Sequence, residues 1–129
     1  MADNKKLLIV EDNETLGQMY EDNFTLKGLE VKRVNDGEAA VAEAVNFQPA
    51  LILLDIMMPN INGFEVLKIL RTSNHTKDIP VFMMTALSET EEREKAMRLG
   101  ATDYLVKAEE DLPTVTAKVL EKLGLATAN

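Results

Sequence analysis

The stretch Leu51-Ile52-Leu53-Leu54-Asp55 decides the fold: four apolar residues without alternation, then a carboxylate where the strand surfaces. A run this apolar reads as a strand buried on both faces. That points to a parallel sheet covered by helices, and such sheets gather their sites outside the carboxyl ends of the strands. Toward the N-terminus, Leu7-Leu8-Ile9-Val10 repeats the pattern and ends in Glu11-Asp12. Three carboxylates are therefore expected at one rim.

Around these two strands, apolar runs alternate with helical periods. A helix is predicted from about Glu14 to Lys27, with Gly28 as its stop. Leu29–Val34 follows as a strand whose Lys32 and Arg33 suit a sheet edge. Asn35-Asp36-Gly37 turns into an Ala-rich helix reaching about Asn46, and Pro49 leads into the central strand. Beyond Asp55, Pro59, Asn60, Asn62 and Gly63 enforce a loop before a helix over Phe64–Arg71, with Phe64, Leu67, Ile69 and Leu70 as its apolar face. Ile79–Met84 gives a fourth strand ending at Thr85-Ala86, and Ser88-Glu89-Thr90-Glu91 a capped start to a helix that stops at Gly100. A fifth strand over Ala101–Val106 and a helix over Leu112–Leu123 complete the series, with residues 124–129 fraying. Five strands alternating with five helices, joined by right-handed crossovers, predict a doubly wound α/β sheet in the order 2-1-3-4-5. This is the flavodoxin-like three-layer sandwich.

Composition agrees with one domain spanning residues 1–129: the hydrophobic content of 46% suffices for a single core and leaves little for a second. A net charge of -8 and a pI near 4.7 oppose direct contact with nucleic acid or an anionic membrane. The absence of cysteine removes disulfides and thiolate chemistry. No basic-then-apolar leader precedes Lys5 and no apolar stretch approaches the ~18 residues of a bilayer span, so a cytoplasmic domain is expected.

The predicted strand ends carry complementary polar groups: Glu11 and Asp12 after the first, Asp55 at the third, Thr85 at the fourth and Lys107 at the fifth. A carboxylate such as Asp55 can attack a phosphoryl group, but two anions repel, so a cation is needed between them. Hard oxygen ligands without His or Cys favour Mg2+, with Mn2+ able to substitute. Glu11, Asp12, Asp55 and a backbone carbonyl just after it, that of Met57, are the expected ligands. Lys107 and Thr85 would share the charge on the remaining phosphoryl oxygens. Taken singly, each residue has an ordinary explanation. Glu11-Asp12 could cap a helix, Thr85 could satisfy backbone, Lys107 could be solvated, and His75 lies in a polar loop. Only their joint order favours a site.

The motifs Val10-Glu11-Asp12-Asn13, Leu53-Leu54-Asp55-Ile56-Met57-Met58-Pro59 with Asn62-Gly63, Met84-Thr85-Ala86 and Asp103-Tyr104-Leu105-Val106-Lys107 together resemble the response-regulator receiver domain of bacterial two-component signalling. The resemblance covers Lys5 to Leu123. It implies that Asp55 is phosphorylated by the phosphohistidine of a histidine kinase or phosphotransfer protein, or by small phosphodonors. It also implies that Thr85 moves toward the phosphoryl group and the Tyr104 ring rotates into the vacated space. The surface formed by the fourth helix, fifth strand and fifth helix is thereby remodelled for a downstream protein target. A monomer able to dimerise through the fourth-helix face once phosphorylated is the expected state.

In this family proline usually follows the lysine in a cis peptide, whereas Ala108 stands here. A non-proline cis bond costs about 2.5–4 kcal/mol, so a trans bond is expected. Met57 and Leu87 occupy the positions that flank the path of hydrolytic water in the family, and their apolar side chains predict slow loss of the phosphoryl group. The alternative reading is a phospho-independent interaction module of the same fold. A flavin carrier would want a phosphate loop where this chain has acids, and an aspartyl-phosphate hydrolase would want an acid in place of Met57.

Overall fold

The computed structural model describes residues 4–58, 61–86, 90–107 and 110–125. Five strands, β1 (Lys6–Val10), β2 (Glu30–Val34), β3 (Leu51–Asp55), β4 (Val81–Thr85) and β5 (Asp103–Val106), form one parallel sheet in the order β2-β1-β3-β4-β5. The helices between and after them are α1 (Glu14–Leu26), α2 (Gly37–Phe47), α3 (Gly63–Thr72), α4 (Thr90–Arg98) and α5 (Leu112–Lys122). The predicted α/β class and strand order are those observed.

The unbroken apolar runs are buried as expected, as is every residue of β3 and β4. Alternate residues of these strands feed two separate cores. Leu8, Val10, Ile52, Leu54 and Met83 face the α2, α3 and α4 side. Leu7, Ile9, Leu51, Leu53 and Met84 face the α1 and α5 side. The edge strand β2 is only half-buried, and its Arg33 spans α1, donating to Glu14 at 2.9 Å and Glu21 at 3.0 Å.

Helix starts follow side-chain caps. Asn13, Asp36, Asn62 and Asp111 each accept a hydrogen bond from the backbone N–H three residues on. The cap of α1 is thus Asn13, which releases Glu11 and Asp12 from that duty. α1 and α4 end at Gly28 (φ 92°) and Gly100 (φ 102°), the left-handed setting that glycine adopts without penalty.

Two local readings are corrected. On α3, Val66 is buried and Ile69 is 39% exposed, because the helix turns its 66, 67 and 70 positions to the sheet. Gly124 and Leu125 are ordered against α5, where the Leu125 N–H donates to Leu120 O at 2.8 Å and its side chain joins the core on that face. Of the methionines at the ends of β3 and β4, Met57 is 59% exposed, Met58 is half-buried, and Met83 and Met84 are core. The expectations for Pro59 and Asn60, Ser88 as a cap, Leu87, Ala108 and the tail 126–129 fall outside the described residues.

Candidate phosphoryl-transfer site

Parallel pairing with matched register carries Glu11, Asp12, Asp55, Thr85 and Lys107 to the same edge of the sheet. Val10 is level with Leu54, Asp55 with Met84, and Thr85 with Val106, so each polar residue lies at or just past a carboxyl end. The backbone continues the alignment: the Ile56 N–H donates to Met84 O at 3.2 Å and the Lys107 N–H to Thr85 O at 2.7 Å.

The site is a buried acid pair under an ammonium. Glu11 is 3% exposed and Asp55 4%. Lys107 Nζ donates to Glu11 Oε1 at 2.8 Å and stands 3.3 Å from Asp55 Oδ2. The second oxygens are met by backbone, Met57 N–H to Asp55 Oδ1 at 3.2 Å and Asn13 N–H to Glu11 Oε2 at 3.2 Å. Thr85 is fully buried at the adjoining strand end, and Asp12 is exposed at the rim.

Burial of Asp55, then the neighbouring Glu11 charge, push its carboxyl up to about 7, against the opposing pull of Lys107. For Lys107, burial disfavours the ammonium, but the hydrogen bond to Glu11 and the charge of Asp55 outweigh it and hold its pKa above the ordinary lysine value. One ammonium thus serves two buried acids, and the cluster is short of positive charge.

That shortage is the test of a metal. Glu11, Asp12 and Asp55 each offer an oxygen, all within 4.8 Å of one another, and no softer ligand accompanies them. The donor set fits a hard divalent cation that takes carboxylates and retains waters. The charge it would bring is the charge the pair lacks.

Three supports of this arrangement escaped the reading of single residues. Gly63 N–H donates to Ile56 O at 2.9 Å, and a Cβ there would lie 2.5 Å from the Asp55 carbonyl oxygen. The Asn62-Gly63 pair signalled a turn, without showing how closely it backs the acid. Asn13 both caps α1 and braces Glu11. Tyr20 of α1 is 6% exposed beneath the acids, its hydroxyl pKa raised by burial first, with Glu11 and Asp55 adding to it and Lys107 opposing. Only its helical period was visible in the chain.

Tyr104 is 2% exposed and Ala96 of α4 is inaccessible. Both are therefore unavailable to a docking surface in this conformation. His75 is exposed, as expected.

Comparison with known proteins agrees with this geometry. The chain is 38% identical over 102 residues to the DNA-binding dual master transcriptional regulator RpaA of Synechocystis, covering 79% of this chain and 42% of that one. It is 40% identical over 102 residues to the transcriptional regulatory protein CusR of Escherichia coli, covering 79% and 44%. The chain therefore spans less than half the length of these relatives. The chemotaxis response regulator CheY4 of Vibrio cholerae superposes with a TM-score of 0.82 at 31% identity, over 92% of this chain and 97% of that one. The family description "Response regulator receiver domain" matches residues 7–119, and the chain belongs to that family of two-component signalling domains.

Proposed function

We propose that residues 1–129 act as one receiver domain that accepts a phosphoryl group on Asp55 from the phosphohistidine of a histidine kinase or phosphotransfer protein. The observation that carries this reading is the buried Asp55 carboxylate, 3.3 Å from the Lys107 ammonium and grouped with Glu11 and Asp12. An Asp55 oxygen attacks phosphorus, the P–N bond breaks with its electron pair passing to the imidazole, and an acyl phosphate forms. No general base is needed, because the nucleophile is already an anion once Asp55 has lost its proton.

Glu11, Asp12, Asp55 and the Met57 carbonyl would hold Mg2+, or Mn2+ in its place, which neutralises charge between nucleophile and incoming phosphoryl oxygens. Lys107 is placed to exchange its contact with Asp55 for a phosphoryl oxygen while keeping Glu11. The Thr85 hydroxyl serves another oxygen, and the Tyr104 ring follows it, biasing the α4–β5–α5 face toward a protein target. Signalling rather than turnover is the output, with slow loss of the phosphoryl group.

RpaA binds DNA by its description, and its length is more than twice the matched portion. In this chain the net charge of -8 supports protein contact rather than direct nucleic-acid contact. Among the described residues no helix is long and apolar enough to cross a membrane. We read the domain as cytoplasmic, and as a monomer that can dimerise through the α4 face on phosphorylation.

The test is incubation with acetyl phosphate and Mg2+, followed by intact mass. The wild type should gain one phosphoryl group and Asp55→Asn none. A wild type that stays unmodified by acetyl phosphate and by phosphohistidine donors would instead support the phospho-independent interaction module.

A further inference from the structure

α4 is fastened to its neighbours in an unusual way. Among its described residues only Ala96 is buried, and apart from Thr90 and an exposed Met97 the rest are charged. Its attachments to aromatic neighbours are cationic. Lys95 Nζ lies 4.4 Å from the centroid of Phe64 at the start of α3. The Arg93 guanidinium carbon lies 5.0 Å from the centroid of the Tyr104 ring on β5, and its Nη1 donates to the Tyr104 carbonyl oxygen at 3.3 Å.

These two Arg93 contacts act on one residue from two directions. The planar cation covers the ring, where the π face is negative, and the fork end grips the backbone that carries the ring. Tyr104 is 2% exposed. From the structure we infer that Arg93 is a positioning residue of the switch: it holds the Tyr104 ring in its buried setting before phosphorylation. This deepens the reading of Asp55 and Tyr104 as a phosphorylation switch and rests on it for its consequence, which is a two-state ring that Arg93 biases toward the buried setting.

Because Arg93 is exposed, its stacking contributes modestly, and its loss should alter the ratio of outward to inward ring by about two- to fivefold. Such a contact biases a two-state ring without locking it, so phosphorylation can still complete the shift. Arg93→Lys keeps the cation and loses the planar fork, so it should restore part of the burial.

The chain contains two tyrosines and no tryptophan, so the ring is directly observable. With ring-labelled tyrosine, a soluble paramagnetic agent reports exposure of Tyr104 by NMR, with the buried Tyr20 as reference and Tyr20→Phe for assignment. Without phosphodonor, Arg93→Ala should raise Tyr104 relaxation about two- to fivefold and Arg93→Lys less. Lys95→Ala loosens α4 without touching Tyr104 and should leave it near the wild-type value. Unchanged Tyr104 exposure in Arg93→Ala, or an equal rise in Lys95→Ala, overturns the inference. The Asp55 reading fails separately, if beryllium fluoride with Mg2+ leaves the wild-type spectrum unchanged.

Discussion

Gly63 backs directly onto Asp55: a Cβ at Gly63 would lie 2.5 Å from the Asp55 carbonyl oxygen and 2.7 Å from Ile56 Cα. Both clashing atoms are backbone, which cannot rotate away. Gly63→Ala should therefore force β3 and the following turn apart, at a cost of about 1–3 kcal/mol. Urea denaturation would read the loss. Acetyl phosphate labelling should slow as well, because the displaced backbone carries the nucleophile.

Asp55 gives the domain a pH dependence opposite to that of a salt-bridged acid. Its folded pKa is about 7 against an ordinary 3.8, so the folded protein keeps a proton that the unfolded chain releases. The associated stability is complete below about pH 4 and is lost as pH rises to about 7. Between pH 5 and 8, without divalent cation, thermal stability from this group should fall. Asp55→Asn should flatten the profile and raise Tm at pH 8 by several degrees, roughly 1–3 kcal/mol. Mg2+ should stabilise the wild type at pH 8 more than at pH 5, since its ligands must be deprotonated.

Lys107 pairs with both Glu11 and Asp55. Lys107→Met leaves two buried acids together and should destabilise the protein at pH 8 by about 2–4 kcal/mol. Acidification or Mg2+ should recover much of that loss, while phosphorylation stays slow. Recovery of stability without recovery of labelling rate separates charge balance from phosphoryl contact. Denaturation with and without Mg2+, beside a labelling time course, makes the comparison.

Met57 follows Asp55 by two residues and is 59% exposed, an apolar side chain at the mouth of the site. It offers no group to orient an attacking water. The acyl phosphate should persist for minutes or longer, and Met57→Asn should shorten its lifetime severalfold by supplying a hydrogen-bonding amide. Decay of radiolabelled phosphoprotein measures both. A wild-type lifetime of seconds, unaltered by Met57→Asn, would contradict the assignment.

The legible parts of this protein were those that depend on one chain segment. Unbroken apolar runs such as Leu51–Leu54 disclosed buried parallel strands, because a strand covered on both faces has no polar alternation. Asp36 marked a helix start, because caps are local hydrogen bonds. The candidate acids were legible for a related reason, since each stands at or just past the end of such a run. Ile69 was misplaced because its apolar character was read without knowing which way α3 is rotated on the sheet.

What depends on separate segments meeting was settled only in three dimensions. The sequence determined a doubly wound α/β fold and the residue types of the rim. The tertiary structure decided that Lys107 bridges two buried acids, that Gly63 backs the Asp55 carbonyl, and that Arg93 covers Tyr104. Propensity and periodicity act over a few residues, whereas these contacts join strands and helices far apart in the chain. Their distances follow from register and helix rotation, and so does the charge balance of the site.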